Sequence, residues 1–71
     1  MKKIVTFESV HFTIKADRLL KMSGLEYQIV TTPREISTDC GMSIEVSPVH
    51  VKQVEHLLTE HGFSIKIHTM E

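Results

Sequence analysis

The fold is decided by residues 42–67, MSIEVSPVHVKQVEHLLTEHGFSIKI. Apolar and polar residues alternate over 42–46, which predicts a strand with one covered face. Ser47 and Pro48 follow as an N-cap and a first helical residue, and Gly62 ends the predicted helix. Alternation resumes from residue 63 to 68 and predicts another strand. The buried stripe of the helix is predicted to be Val51, Val54, Leu57 and Leu58.

The preceding part of the chain repeats this order and adds a strand. Residues 4–7 are β-branched or aromatic and predict a strand, Ser9 occupies an N-cap position, and Gly24 ends a helix. Residues 27–31 predict a second strand, and residues 32–41 a loop. The order βαββαβ predicts one α+β domain, residues 1–71, of ferredoxin-like type, with two helices on one face of a four-stranded antiparallel sheet. The stripe of the first helix is predicted to be Phe12, Ala16, Leu19 and Leu20.

Composition excludes several classes of function. Eight Lys and Arg against nine Asp and Glu give a net charge of −1, and the chain has no Trp and one Tyr, so neither a basic stripe nor a stacking platform for nucleic acid is present. No apolar stretch approaches the ~18 residues of a membrane span. Glu8 comes too early for a signal peptide. A single Cys forms no internal disulfide, which favours the cytoplasm.

Cys40 is the one credible chemical group, and it lies in the polar loop 32–41. In the predicted topology this loop returns to the end of the sheet where the first helix begins, near Ser9 and His11. A helix N-terminus and neighbouring cations favour a thiolate, the nucleophilic form, whereas Asp39 disfavours it, so the net sign stays open. Gly41 would let an incoming sulfur approach without a side chain in the way.

The five histidines do not predict a metal site. No His-x-x-x-His or Cys-x-x-Cys pair is present. His56 and His61 are five residues apart, about 140° around a helix, and cannot chelate one ion from a shared face. We therefore predict no metal and no cofactor.

Around this loop the chain resembles a known family of small proteins. Thr6, Phe7 and Ser9 form a shared opening, and residues 32–37, TPREIS, lead to Cys40-Gly41. Over nearly its whole length the chain is similar to the family called Putative Se/S carrier protein-like. The resemblance implies a carrier that holds sulfur, as a persulfide, or selenium on Cys40, and that passes it between donor and acceptor proteins without turnover of its own.

The same resemblance implies roles for two further residues, and the chain departs from a better-known pattern. Arg34 and Ser37 match the family's motif and are candidates for fixing the loop or pairing with the loaded anion. The chain lacks the Cys-Pro-x-Pro motif of other small sulfur-transfer carriers, so a mechanism shared with those is analogy. The sequence favours neither sulfur nor selenium and no particular oligomeric state.

Two alternatives to a carrier stay open. One is a non-catalytic partner-binding module with a structural cysteine, since ferredoxin-like sheets bind partners through a face or an edge strand. The other is a redox sensor that forms a mixed disulfide through Cys40 with a second molecule. A carrier would lose transfer when Cys40 is changed to Ser, whereas a binding module would tolerate that change.

Overall fold

The computed structural model describes residues 1–37 and 41–71. Their four strands form one antiparallel sheet in the order β2-β3-β1-β4. The predicted ferredoxin-like βαββαβ architecture is confirmed. The elements are β1 (Lys2–Phe7), α1 (Val10–Ser23), β2 (Gln28–Thr31), β3 (Met42–Val46), α2 (Val51–Glu60) and β4 (Ile65–Met70).

The core lies between the helices and one face of the sheet. Val5 on the central strand β1 pairs with Ile44 of β3 and Ile67 of β4, so the three side chains share the helix-covered face. Burial of each large apolar side chain contributes about 1.5–3 kcal/mol. The two helices in the described part of the chain lack the length and hydropathy to cross a membrane. The buried cluster consists of Val5, Phe7, Ala16, Leu20, Ile44, Val46, Val54 and Leu58.

The prediction that Phe12 belongs to the buried stripe of α1 is wrong. Thr13 is fully buried there instead, and Phe12 is 37% exposed. The hydroxyl of Thr13 donates to the carbonyl of Met42 at 3.3 Å, which stabilises a polar side chain at the helix–sheet contact. Phe12 lies on the flank of α1, where its ring packs edge-on against that of Phe63, with the ring centroids 6.4 Å apart.

Ser9 lies at the start of α1, as predicted, but it caps the helix through its backbone and not through its side chain. Ser9 occupies the N-cap position with an extended backbone, but its hydroxyl makes no capping hydrogen bond within the described residues. Its carbonyl instead accepts hydrogen bonds from the amides of Phe12 and Thr13 at 3.1 and 3.2 Å. The backbone of Ser9 therefore begins the helix without the side-chain cap that the sequence predicts.

The helix α2 begins later than predicted. Ser47 and Pro48 start a separate turn, in which the Ser47 hydroxyl accepts a hydrogen bond from the amide of Val49 at 3.2 Å. The α-helix itself begins at Val51, and its predicted apolar stripe faces the core. Gly62, with φ of 83°, follows the last turn, as predicted, because a left-handed backbone favours glycine.

The strands also differ from prediction at their ends. The fourth strand runs over Ile65–Met70 rather than residues 63–68, and β1 begins at Lys2 rather than at Ile4. The two strands pair over their full length, from Lys2 with Met70 to Phe7 with Ile65. The pairing extends β1 toward the N-terminus and β4 toward the C-terminus, by residues that alternation alone does not assign to a strand. The second strand covers Gln28–Thr31, one residue shorter than predicted.

Tyr27, which directly precedes β2, provides a pH-dependent contact with α1. Its hydroxyl donates to the Asp17 carbonyl at 3.0 Å and to the Asp17 carboxylate. Burial, and then the hydrogen bond and negative charge of Asp17, raise the pKa of Tyr27 from 10.0 to about 12. Because the folded pKa is the higher one, this contribution to stability is complete below about pH 10 and is lost as the pH rises from 10 to 12.

An ultraviolet titration of tyrosinate tests this directly, because the chain has one Tyr and no Trp. We expect a midpoint near 12 in the folded protein and near 10 in urea. Asp17→Asn should lower the folded midpoint, since it removes the charge. Coincident midpoints in the folded and unfolded protein would contradict the contact.

Candidate functional site

The loop between β2 and β3 lies at the end of the sheet where β1 leads into α1. The hydrogen bond from Thr13 to the carbonyl of Met42 joins the first turn of α1 to the first residue of β3. The chain that follows the loop therefore lies beside the amino end of α1, as the topology predicts. Cys40 lies outside the described residues, as do Thr38 and Asp39.

Two hydrogen bonds hold the base of this loop. The amide of Thr32 donates to the carbonyl of Gly41 at 3.3 Å, which joins the two sides of the loop. The hydroxyls of Thr32 and Ser43 also hydrogen-bond to each other, and the two residues are 6% and 0% exposed. Gly41 is thus held by a backbone hydrogen bond to Thr32, the residue after β2. The buried hydroxyl pair of Thr32 and Ser43 fixes the same two sides of the loop.

Residues 33–37 form a turn that is closed on one carbonyl. The Pro33 carbonyl accepts hydrogen bonds from the amides of Ile36 and Ser37 at 3.0 and 3.2 Å. Pro33 is the first residue of the turn, where only its carbonyl is needed and its missing N–H costs no hydrogen bond. Pro33, Ile36 and Ser37 are half-buried, whereas Arg34 and Glu35 are exposed. The TPREIS stretch therefore combines residues that pack with charges that face solvent.

The turn lies against the face of the sheet that the helices leave uncovered. Pro33 lines one depression of this face together with Ile4 and Met70. Ile36 and Ser37 line a second depression together with side chains of β1 and β4. We call the second one the helix-free pocket; it has a volume of about 330 Å³. Within the described part of the chain, the residues that line it are Thr6, Phe7, Glu8, Ile36, Ser37, Ser64, Ile65, Lys66 and His68.

The helix-free pocket has a fixed polar wall. Thr6 pairs with Lys66 in the β1–β4 register, and the Thr6 hydroxyl hydrogen-bonds to Nε2 of His68 at 3.1 Å. Sequence reasoning missed this site. The alternation of β4 does indicate that Lys66 and His68 face away from the helices. That the turn of residues 33–37 forms the opposite wall depends on contacts between residues distant in sequence.

The predicted site residues other than Cys40 fall into two groups, those of the loop itself and those at the start of α1. Gly41 is exposed, and a Cβ at this position would meet no described atom within 4 Å beyond the neighbouring residues of the chain. Arg34 makes no ion pair with a described residue, and Ser37 lies in the wall of the helix-free pocket. Ser9 begins α1. His11 is exposed, with its ring 5.5 Å from that of Phe12.

His11 and Thr13 do not lie on the same side of α1. Two residues correspond to about 200° around a helix, and Thr13 is the residue that contacts Met42. The structure therefore places His11 on the side of α1 away from the sheet. Ser9, by contrast, is joined to Thr13 through its carbonyl, which accepts from the Thr13 hydroxyl at 3.3 Å.

Residues 1–37 and 41–71 contain no group of three His, Cys, Asp or Glu side chains that could hold a metal ion. Two of the histidines make contacts along α2. Nε2 of His56 lies 3.4 Å from the Glu60 carboxylate. Nδ1 of His61 lies 2.9 Å from the carbonyl of Leu57, one turn earlier. Both contacts are exposed and local to the helix.

Comparison with known proteins identifies one family. A family model described as Putative Se/S carrier protein-like matches residues 2–69. Neither a curated protein nor a solved structure matches the chain. The matched residues include all the loop from Thr32 to Gly41, and with it the single cysteine of the sequence.

Proposed function

Because the chain belongs to the Putative Se/S carrier protein-like family, we propose that it carries sulfur or selenium on the thiol of Cys40. The observation that carries this proposal is that the family match spans the loop containing the only cysteine. A carrier needs a nucleophile that forms a reversible bond to sulfur or selenium, and a thiolate is the side chain that does so. The partners are then a donor protein and an acceptor protein.

The transfer itself is an exchange between thiols. The Cys40 thiolate attacks the terminal sulfur of a persulfide on the donor, a bond forms between the two sulfurs, and the donor cysteine leaves as a thiolate. No electrons are gained or lost overall, so no oxidant or reductant is required. Delivery repeats the step with the acceptor's thiolate as the attacking group. A selenium atom would occupy the same terminal position.

The geometry next to Cys40 supports this role. The Thr32–Gly41 hydrogen bond holds the base of the loop while Gly41 stays exposed. Arg34 is an exposed cation in the same loop, and its charge favours a thiolate or a loaded persulfide anion over the neutral forms. Such a loop can enter a partner's active site while its two ends remain attached to β2 and β3.

Intact-mass spectrometry tests the proposal. The protein, purified without reductant, is incubated with a cysteine desulfurase and cysteine. We expect a gain of one sulfur atom that a reducing agent removes. A selenium donor is tried in the same assay. No adduct from any donor, together with a Cys40 that does not react with alkylating reagents in the folded protein, would contradict the proposal.

Gly41→Ala tests whether the open space beside Cys40 serves the approach of a partner. Gly41 is not among the glycines with positive φ, and its added methyl group would meet no atom of a described, non-neighbouring residue within 4 Å. We expect stability to stay equal or rise by about 0.4–1 kcal/mol. Transfer from the donor protein should slow roughly tenfold, as if about 1.4 kcal/mol of contact were lost. Alkylation of Cys40 by a small reagent should not change, and an equal slowing of both reactions would contradict a steric role.

A partner-binding module is the second candidate, and one observation favours it. Val10 and Ile14 lie one turn apart on α1 and are 39% and 47% exposed, and Ile29 on the edge strand β2 is 39% exposed. A contiguous patch of exposed apolar side chains marks a protein contact, and Val10 and Ile14 are neighbours on one side of α1. A module that acts only through such contacts would keep its partner in Cys40→Ser and lose it in Ile14→Lys.

A further inference from the structure

We propose that the helix-free pocket binds a small zwitterion of the α-amino-acid type. The pocket carries an acid, Glu8, and a base, Lys66, together with the ring of His68 and the hydroxyls of Thr6 and Ser64. All of these residues belong to β1, to β4 or to the residues next to them. The argument uses only residues that the structure describes, and it does not depend on a role for Cys40.

Glu8 and Lys66 line the same pocket without pairing with each other. The ion pair found within the described residues joins His56 to Glu60 on α2 and involves neither Glu8 nor Lys66. The carboxylate of Glu8 and the ammonium of Lys66 are therefore farther apart than a salt bridge. Two opposite charges that share a pocket and leave space between them are suited to a ligand that carries both charges.

The combination of charges selects among ligand classes. A simple anion would be attracted by Lys66 and opposed by Glu8, and a simple cation would meet the reverse. An α-amino acid places its carboxylate toward Lys66 and its ammonium toward Glu8, so that both charges are paired. Glu8 and Lys66 are both exposed residues, so each charge pair with the ligand contributes modestly, and weak, millimolar binding is expected.

The remaining walls suit a small ligand with a short side chain. The Thr6 hydroxyl hydrogen-bonds to Nε2 of His68, which holds the ring in place beside the pocket. Ile36 supplies an apolar wall from the turn. A volume of about 330 Å³ is at the lower end of the range for small-molecule sites.

Backbone-amide NMR tests the proposal on the Cys40→Ser protein, so that no thiol chemistry intervenes and the result is separate from the carrier function. The probe is S-methyl-L-cysteine, compared with propionate and with ethylamine. We expect saturable shifts at residues 6–8 and 64–68 with the amino acid, and binding roughly two- to fivefold weaker for either single-charge compound. Glu8→Gln and Lys66→Ala should each weaken binding roughly two- to fivefold, the effect of one exposed charge pair. Their matched controls on α2, Glu55→Gln and Lys52→Ala, should leave it unchanged.

Several results would overturn the assignment. Absence of shifts at these residues would show that the pocket binds no amino acid. Equal binding of propionate, or unchanged affinity in Glu8→Gln, would show an anion site without an ammonium contact. Shifts that follow Glu55→Gln or Lys52→Ala instead would place the ligand on α2.

Discussion

Cys40→Ser is expected to abolish the gain of sulfur or selenium completely. A serine hydroxyl stays protonated at neutral pH and does not attack a persulfide, whereas a thiolate does. The measurement is the intact mass after incubation with a cysteine desulfurase and cysteine, for the wild type and the variant side by side. The far-ultraviolet circular dichroism of the two proteins should be the same, because one atom of one side chain changes.

A displaced thiol provides the matched control. Ser23 ends α1 on the protein surface, and its hydroxyl donates to the carbonyl of Leu19, one turn earlier. The double variant Cys40→Ser/Ser23→Cys has one thiol, as the wild type does, but outside the loop. We expect it to react with small alkylating reagents and to gain no sulfur from the protein donor. Loading at the wild-type rate would show that any exposed thiol accepts sulfur and that the loop confers no specificity.

The order of the elements could be predicted from sequence because it depends on local signals. The alternation in residues 42–46 is a signal within one strand. Gly24 and Gly62, each with a positive φ, are signals confined to the end of one helix. That Thr13 rather than Phe12 lies in the core could not be predicted. A helical stripe of apolar residues favours Phe12. The Thr13 hydroxyl has one acceptor a turn earlier, the carbonyl of Ser9, but its contact with the sheet is the carbonyl of Met42, which is 29 residues away.

The site shows the same division between local and distant signals. A loop at residues 32–41 follows from Pro33 and from the end of the β2 pattern. Alternation predicts that Ser43 faces solvent, and this is wrong: Ser43 is fully buried, with its hydroxyl bonded to that of Thr32. The helix-free pocket was missed for the same reason, since its walls come from β1, β4 and the turn of residues 33–37.

Thr32 anchors the loop by two groups, and this makes its side chain a second large expected effect. Its amide donates to Gly41, and its hydroxyl bonds to the hydroxyl of Ser43. Thr32→Val keeps the shape and the amide but leaves the fully buried hydroxyl of Ser43 without this partner. A buried polar group that loses its partner costs about 1–3 kcal/mol. For 71 residues the whole free energy of unfolding is roughly 4–10 kcal/mol.

Urea unfolding of a double-mutant cycle separates the hydroxyl pair from other effects. Thr32→Val/Ser43→Ala removes both hydroxyls, so no buried group is left unpaired, and it should cost less than the sum of the two single changes. The matched control is Thr69→Val, whose hydroxyl accepts from Lys3 on the surface, and its effect should stay within about 0.5 kcal/mol. Additive costs in the cycle would mean that the two hydroxyls do not depend on each other. The backbone hydrogen bond from the amide of Thr32 to the carbonyl of Gly41 would then hold the base of the loop by itself.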